Sequence, residues 1–450
     1  MVDASKLTDE LSELVGGEHV QTTALDAYRV DGRAPWAVVG PGDVAQVAAV
    51  LALAQREGLA VVPRGGGTTM GMGHPPERLD IILCLRRLSR LVEHEPADLT
   101  ATAQAGITIA DLQSHLGGRG QWWPVEPPRA DRATLGGVLA TNASGPKRLL
   151  YGTARDLVIG ITVVHADGVI SKAGGKVTKN VTGYDMMKLY IGSLGTLAVI
   201  VEATLKLRPL PPVQRIAWST FSGVEAAADA AQQLLASGLL PNAVELINPC
   251  LSTTLQRTLE PTAGIAGWSL VVGVDGTEPA VDRQLRDIEA LSRSAGALAW
   301  RPAEDDGRLW QALQSRFRPH DAQPNERVIV RVGTLRTQVG VILSRLTELG
   351  ARLSAPPDLT CRCGNGLIYG SLALDGGAEQ SARVAHALAQ LRSYLASLRG
   401  YLVVESAPAA FKAQFDCWGE LGPQAEVMAG LKREFDPRRM LNPGRFVHHL

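Results

Sequence analysis

The stretch Pro63–Gly73, with the sequence PRGGGTTMGMG, is the feature that most restricts how this chain folds. Three consecutive glycines follow a short apolar run at 59–62, and two threonines follow the glycines. Glycine has no Cβ and tolerates positive φ, so successive N–H groups can point the same way and surround an anion such as a diphosphate. The same residues also suit a tight turn, and the stretch alone leaves both interpretations open.

The two commonest nucleotide-binding loops do not match this stretch. A Walker-type loop requires Lys followed by Ser or Thr after its last glycine, and no Lys follows here. The dinucleotide fingerprint requires G-x-G-x-x-G at the start of a helix, whereas the spacing from Gly67 to Gly71 is one residue too long. Pro75 and Pro76 come next and prevent a long helix in that register.

Charge and cysteine content exclude several classes of protein. Lys plus Arg equals Asp plus Glu, at 45 each in 450 residues, whereas nucleic-acid binding requires a basic excess. Only Cys361 and Cys363 of the five cysteines are close together, so neither a disulfide framework nor a cysteine metal site is expected. No apolar run is as long as a membrane span. We expect a reduced, cytoplasmic protein that associates with a membrane only peripherally, through partners.

The pattern of apolar residues divides the chain into three parts. Residues 37–85 predict a strand, a helix, a strand, the glycine loop and another strand, and short strands continue to the prolines at 209–212. Beyond these prolines strands alternate with helices, which is typical of a sheet covered by helices. An amphipathic helix and a Pro-Gly stop follow. We therefore expect domains at residues 1–210, 211–410 and 411–450.

Further turns made of small residues follow in the first predicted domain. Thr134–Gly137 (TLGG) and Asn142–Gly145 (NASG) are two of them, and KNVTGYD and GSLGTLAVI come later. Small residues let the backbone approach a flat ligand closely, and Thr, Asn and Ser side chains add hydrogen bonds. A long, bent cofactor that contacts several loops explains this pattern better than a purely structural role.

In their order, the motifs PRGGGTT, TLGG, NASG, YGTARDLV, KNVTGYD, GSLGTLAVIVEATLKL and FDPRRMLNPGR resemble the vanillyl-alcohol oxidase/p-cresol methylhydroxylase (VAO/PCMH) superfamily. Within it the chain is similar to the glycolate oxidase/D-lactate dehydrogenase branch, most of all to the FAD-binding E subunits of bacterial glycolate oxidases. The resemblance implies an α+β fold. A two-subdomain FAD-binding domain would precede an α/β cap (substrate) domain with an antiparallel sheet, and a C-terminal helix would return to the FAD domain.

The resemblance also implies the residues that hold the cofactor, FAD. The glycine loop would surround the pyrophosphate, the turns at 134–142 would lie along the ribityl and isoalloxazine portions, and Gly195, Val199 and Ile200 would contact the adenosine half. Ordinary strand core explains the last two equally well. The predicted FAD contacts are Arg64, Gly65, Gly66, Gly67, Thr68, Thr69, Gly71, Pro128, Thr134, Leu135, Gly136, Gly137, Ala140, Thr141, Asn142, Gly145, Gly195, Val199 and Ile200.

Non-covalent binding is expected, because covalent relatives often carry a His just past the glycines. Thr68, Thr69 and Met70 stand at that place in this chain. His74 lies further on and is predicted to be a surface-loop residue.

The metal site of catalytic members of this branch is altered here. Those members carry H-A-G-D-G-N-x-H, whose histidines help to hold a metal, and the corresponding stretch is CRCGNGLIYG with Arg362 and Tyr369 at the His positions. A guanidinium has no lone pair for a metal and a phenol is a poor ligand. Glu405 matches the accompanying acidic ligand, but one carboxylate does not hold a metal alone. We therefore expect no metal site.

Three residues are predicted to serve the substrate. Arg316 or Arg318, in LWQALQSRFRPH, resembles the cap arginine that binds a substrate carboxylate, although an exposed helical arginine explains this stretch as well. Asn442, in the C-terminal LNPGR motif, completes the predicted catalytic set.

Three functions are compatible with these motifs. The first is the FAD-binding subunit of a glycolate oxidase (dehydrogenase) complex, which would support oxidation of a small 2-hydroxy acid together with a related FAD subunit and an iron–sulfur subunit. The second is a stand-alone FAD-dependent dehydrogenase of another small hydroxy acid or alcohol, in which the protein orients the substrate and the flavin accepts the hydride. The third is a non-catalytic structural subunit.

Overall fold

A mostly parallel sheet forms the first layer of the computed structural model, which describes residues 4–176, 184–259, 265–305, 307–317, 327–351, 353, 355–374 and 377–450. Its elements are α1 (Ala4–Val15), β1 (Val20–Gln21), β2 (Ala37–Val39), α2 (Val44–Glu57), β3 (Val61–Arg64) and β4 (Ile81–Cys84). The strand order is β1-β2-β4-β3, and the last three strands run parallel. The strand–helix–strand–loop–strand prediction for residues 37–85 is confirmed.

Helix α2 shows how the sequence determines this layer. Asp43 begins it by accepting a hydrogen bond from the backbone N–H of Gln46, and Gly58 ends it in the left-handed conformation at φ 68°. The apolar residues at positions 47, 50, 51 and 54 share one helix face and are buried. Complete burial of Leu51 alone stabilises the fold by about 1.5–3 kcal/mol. Because α2 is held in this way, β3 delivers the glycine loop at a fixed edge of the sheet.

A second, antiparallel layer completes the N-terminal unit, as we call residues 4–209. Its elements are β5 (Leu91–Glu95), β6 (Thr100–Gln104), α3 (Ile109–Gly117), β7 (Gln121–Trp122), α4 (Leu135–Thr141), α5 (Arg148–Tyr151), β8 (Val158–Val164), β9 (Ile170–Gly174), α6 (Met187–Tyr190), β10 (Val199–Lys206) and β11 (Arg208–Pro209). Five of the strands form a sheet in the order β5-β6-β10-β8-β9. The first five residues of the KNVTGYD motif lie outside the described residues.

An eight-stranded antiparallel sheet dominates the second unit. Its elements are β12 (Val213–Phe221), α7 (Val224–Ala236), β13 (Ala243–Ile247), α8 (Pro249–Leu259), β14 (Trp268–Gly276), α9 (Glu278–Ser294), β15 (Ala299–Glu304), α10 (Arg308–Arg316), β16 (Arg327–Gly333), α11 (Val339–Ala351), β17 (Asp358–Arg362), β18 (Leu367–Ala373), α12 (Gly377–Ser397) and β19 (Tyr401–Ser406). The strand order is β15-β12-β14-β13-β17-β18-β16-β19. Helices α7, α9, α11 and α12 cover one face, whereas α8 and α10 cover only part of the other.

The C-terminal segment, residues 409–450, returns to the N-terminal unit. It contains α13 (Ala409–Lys412) and α14 (Gln424–Phe435). Beyond α14, Leu441 pairs with Val61 of β3 in a parallel bridge, and the Asn442 backbone N–H donates to the Val61 carbonyl over 2.9 Å. The last segment therefore lies beside the strand that precedes the glycine loop.

A buried group of charges joins the two units. The Lys147 ammonium lies 3.2 Å from both the Glu126 and the Asp305 carboxylates and donates to the Gln214 amide oxygen over 2.8 Å. The side chains of Lys147 and Asp305 are 3% and 0% exposed. Burial lowers the pKa of Lys147, but the two carboxylates outweigh it and raise that pKa. The ammonium therefore stays charged and ties β12 and the residue that follows β15 to the N-terminal unit.

Candidate cofactor and substrate site

The glycine loop packs so closely against the segment that precedes α4 that side chains would not fit. A Cβ at Gly65 would lie 2.0 Å from the Thr134 Oγ1, and a Cβ at Gly66 would lie 1.6 Å from the Arg132 carbonyl oxygen. Gly67 has φ 73°, in the region that favours glycine. The three glycines therefore serve close approach and backbone conformation at once.

Three cavities that share lining residues form one crevice beside this loop. Gly65, Gly137 and Ala140 line both the first and the middle cavity, and Thr141 and Leu194 line both the middle and the wide one. The wide cavity lies between the units and has a volume of about 460 Å³. The crevice thus runs from the antiparallel layer, past the glycine loop, to the eight-stranded sheet.

Polar side chains from five adjacent strands form the far wall of the wide cavity. Glu245 of β13 is opposite Arg362 of β17, and Tyr369 of β18 is opposite Arg331 of β16, with Glu405 on the neighbouring β19. Strand residues alternate between faces, so these side chains share the face that α8 and α10 leave open. Arg362 also reaches the N-terminal unit, where it donates to the Ser144 carbonyl over 2.6 Å.

Two ion pairs order this wall. The Arg331 Nε lies 2.6 Å from Glu405, and the Arg362 Nε lies 3.4 Å from Glu245, with the Arg362 guanidinium 4.8 Å from the centre of the Tyr369 ring. Burial raises the pKa of Glu245 to about 7, because it outweighs the stabilisation of the carboxylate by Arg362 and Thr360. Burial lowers the pKa of Arg331, but the Glu405 carboxylate outweighs it and raises that pKa.

Most of the predicted FAD contacts lie on the wall of the crevice. These are Arg64, Gly65, Gly66, Gly67, Thr68, Thr69, Pro128, Thr134, Gly136, Gly137, Ala140, Thr141, Asn142, Gly195, Val199 and Ile200.

Three of the predicted contacts do not line the three cavities. Leu135 is a buried core residue, and Gly145 packs against the Glu126 carbonyl, 2.6 Å from where its Cβ would be. The Gly71 carbonyl accepts a hydrogen bond from Lys412 over 2.6 Å. Leu135 and Gly145 therefore serve packing, which a motif does not distinguish from ligand contact.

Arg316 and Asn442, the two predicted catalytic residues that the structure describes, do not line the wide cavity. The Arg316 Nε donates to Asp358 over 2.7 Å, and Arg327 shares that carboxylate, so the Arg316 charge is already paired and its role in carboxylate binding stays a prediction. Arg318 lies outside the described residues. Asn442 lines the middle cavity, where its amide donates to the Leu194 carbonyl over 2.6 Å.

The prediction for His74 is wrong. Its side chain is buried, its Nε2 lies 3.0 Å from the Asp416 carboxylate, and its ring stacks on His449 with 4.2 Å between ring centres. The C-terminal segment covers the loop that carries His74, and one sequence cannot show that contact.

Four charged residues at the crevice were not predicted from the sequence. Arg148, Arg331 and Glu245 line the wide cavity, and Arg445 lines the middle one. The Arg445 guanidinium donates to the carbonyls of Met70 and Met72, the latter over 2.9 Å, and so supports the end of the glycine loop. Arg331 and Glu245 could have been found from the sequence, because each is a charged residue inside an otherwise apolar predicted strand.

No group of three or more His, Cys, Asp and Glu side chains that could hold a metal ion lies among the described residues. None of the helices there is long and apolar enough to cross a bilayer.

Comparison with known proteins decides the family. Residues 35–174 match the FAD binding domain, and residues 210–350 match the C-terminal domain of FAD linked oxidases. The probable mitochondrial D-lactate dehydrogenase of Danio rerio is 30% identical over 432 residues, which cover 92% of this chain and 85% of that protein. The chain belongs to the FAD-linked oxidase family. Glycolate oxidase subunit GlcD of Bacillus subtilis, another relative, is 27% identical over 418 residues, 91% of this chain and 88% of that protein.

Solved structures confirm the predicted VAO/PCMH-type α+β fold of this FAD-linked oxidase. p-Cresol methylhydroxylase with substrate bound has a TM-score of 0.76 at 16% identity and covers 98% of this chain and 96% of its own. A 4-ethylphenol oxidase from Gulosibacter chungangensis has a TM-score of 0.75 at 15% identity over the same shares.

FAD is the cofactor of this FAD-linked oxidase, and the crevice fits it. The Thr134 Oγ1 is buried without a hydrogen-bond partner, although it lines two of the three cavities. A buried hydroxyl without a partner is costly, and a polar ligand in the crevice would satisfy it.

Proposed function

We propose that this chain catalyses FAD-dependent oxidation of the CH–OH group of a small 2-hydroxy acid, as a flavin subunit in a complex with a related FAD subunit and an iron–sulfur subunit. The observation that carries the proposal is the crevice that opens into a cavity with an arginine-rich wall. Two relatives, a glycolate oxidase subunit and a probable D-lactate dehydrogenase, support the substrate class.

The proposed FAD contacts follow the three cavities. Backbone N–H groups of Gly65–Thr69 hold the pyrophosphate, Thr134–Gly137 and Ala140–Asn142 hold the ribityl and isoalloxazine portions, and Gly195, Val199 and Ile200 contact the adenosine half. Met70 and the two threonines offer no His for a covalent bond, so we propose that FAD is non-covalent. Bound there, FAD supplies the two-electron acceptor for the substrate C–H bond.

The wall of the wide cavity supplies orientation and a proton acceptor. Three arginines, Arg148, Arg331 and Arg362, face two carboxylates at this end of the cavity, and the positive charge left over suits an anionic substrate. Glu245 lines the cavity with a pKa of about 7, so a large share of it is ionised at neutral pH and available for the hydroxyl proton. Its Oε2 also accepts the Thr360 hydroxyl over 2.8 Å, which fixes the carboxyl.

Turnover by the isolated chain and by a complex separates the leading functions. The purified flavin-loaded chain is given glycolate and D-lactate with a dye acceptor, alone and after co-purification with its native partners. We expect slow or no turnover alone and full turnover with partners. Enzyme-like turnover by the isolated chain would contradict the complex and establish the stand-alone dehydrogenase. A colourless protein that takes up no FAD would favour the structural subunit.

A further inference from the structure

Arg148 lines the wide cavity but takes no part in the two ion pairs of the cavity wall. It begins α5 in the N-terminal unit and faces the eight-stranded sheet across the cavity. Its Nε is completely buried and has no hydrogen-bond partner. We find no ion pair or hydrogen bond of this guanidinium with any residue that the structure describes.

The carboxylates near Arg148 are already engaged. Glu405 lies 2.6 Å from Arg331 and Glu245 lies 3.4 Å from Arg362. Asp156, in the same chain segment, accepts hydrogen bonds from the Thr153 backbone N–H and hydroxyl over 2.8 and 2.7 Å. The cavity therefore carries one positive charge more than the wall neutralises.

The surroundings make this charge costly without an anion. Burial lowers the pKa of Arg148, and the positive charges of Arg362 and Arg331 lower it further. Three guanidinium groups around one cavity repel one another in a medium of low dielectric constant. A guanidinium keeps its proton in proteins, so an anionic ligand is the remaining way to offset this repulsion.

We propose that the wide cavity is a metal-independent carboxylate site in which Arg148 holds the carboxylate of a small organic acid through its guanidinium. Two parallel N–H···O bonds match a carboxylate. Arg362 and Tyr369, which take the two histidine positions of the H-A-G-D-G-N-x-H motif, offer no ligand to a metal. The inference rests on the proposed function, because it assumes that FAD fills the crevice beside the cavity.

Binding, rather than turnover, tests this site. The flavin-loaded protein is titrated with propionate, which has a carboxylate but no hydroxyl, and the flavin absorbance difference gives the Kd. n-Propanol is the uncharged match. The variants are Arg148→Gln and Arg148→Lys, with Arg119→Gln as the control, because Arg119 is an exposed arginine of the N-terminal unit. Each variant is compared with wild type at equal flavin content and melting temperature.

We expect propionate to bind and propanol not to bind. R148Q should weaken propionate binding by about ten- to a hundredfold, the usual effect of losing hydrogen bonds to a charged group. R148K should weaken it less, and R119Q should leave it unchanged. Dialysis against EDTA should not alter the Kd.

Three results would overturn the proposal: no response of the wild type to propionate, equal binding by R148Q, or loss of binding on chelation. The proposed oxidase activity can be refuted independently of this binding site. A protein that binds propionate through Arg148 but oxidises no 2-hydroxy acid would keep the site and refute the activity.

Discussion

At the scale of single residues, Glu245 is a carboxyl group on which burial and a neighbouring positive charge have opposite effects. It is 1% exposed, it receives a hydrogen bond from Thr360, and its ion pair with Arg362 is long at 3.4 Å. Burial therefore prevails over the attraction of Arg362 and raises the pKa from the ordinary 4.5 to about 7. The folded protein holds this proton where the unfolded chain has released it.

This shift makes stability depend on pH with a defined sign. Between pH 4.5 and about 7 the native state binds more protons than the unfolded state at Glu245, so the free energy of unfolding falls as pH rises. We expect Glu245→Gln to remove this contribution and flatten the pH dependence of the melting temperature across that window. Glu18→Gln, at a 75% exposed carboxyl, is the control and should leave the slope intact. An unchanged slope in E245Q would disprove the assigned shift.

The residues of the site were predictable where their signal is local. Gly65–Gly67 and the TLGG turn stand out in sequence, because close backbone contact demands small residues. Arg331 and Glu245 did not stand out, because only the strand order β13-β17-β18-β16-β19 brings residues so far apart onto one wall. The role of Arg316 stays a prediction, since its guanidinium is paired with Asp358 and the motif could not show that partner.

At the scale of elements, helix α4 forms part of the crevice wall, and its residue Gly137 leaves the crevice open because it has no side chain. Gly137 lines two cavities, and the nearest atom to its Cβ position is the Thr134 Oγ1 at 3.3 Å. We expect Gly137→Leu to fold and to fill the crevice, so that the purified protein lacks visible flavin absorbance. Gly117→Leu is the matched control, because Gly117 lies in α3 with nothing within 4 Å of its Cβ position. Full flavin content in G137L would refute the proposed FAD position.

Helix α14 holds the segment behind the glycine loop through one buried ion pair. The Lys432 ammonium lies 2.6 Å from Asp436 and donates to the Thr196 and Leu441 carbonyls, and Asp436 accepts the Met440 and Leu441 backbone N–H groups. Burial lowers the pKa of Lys432, although Asp436 opposes this. The pair thus fixes the turn that leads into the LNPGR motif.

Removing one partner of the Lys432–Asp436 pair should lower the stability of the folded protein. We expect Asp436→Ala to lower the free energy of unfolding by about 3–5 kcal/mol, because the Lys432 charge stays buried and unpaired. Flavin should also dissociate faster, since the glycine loop loses its support. The equally spaced pair of Arg293 and Glu289 is 63% and 32% exposed, so Glu289→Ala should cost less than about 1 kcal/mol. Similar losses in urea unfolding of the two variants would contradict the role of burial.

The elements themselves were partly readable in the sequence. The cap Asp43, the end at Gly58 and the apolar spacing between them predict α2, and the glycine loop follows β3 as expected. The pairing of strands could not be read, because apolar alternation fixes which face of a strand is buried but not its neighbours. The predicted boundaries at 210 and 410 lie close to the ends of β11 and β19.

At the scale of the whole molecule, the group around Lys147 holds the two units together. Burial raises the pKa of Glu126 even though the positive charge of Lys147 opposes this. Lys147 therefore only partly offsets the cost of burying the Glu126 carboxylate. We expect Lys147→Met to leave the Glu126 and Asp305 carboxylates without their cation. The contact between the two units should then weaken, so that one calorimetric unfolding transition becomes two. Lys172→Met, at an exposed lysine of β9, is the control and should leave the transition single. A single unshifted transition in K147M would show that other contacts hold the units together.

The bridge between Val61 and Leu441 has a consequence for biosynthesis. The strand that carries the glycine loop pairs with a segment 380 residues later in the chain. Because domains generally fold in the order in which they leave the ribosome, the first layer must wait, incompletely paired, while the entire second unit is translated. FAD loading should therefore follow release of the LNPGR motif from the exit tunnel, and a nascent chain stalled before that motif should stay colourless.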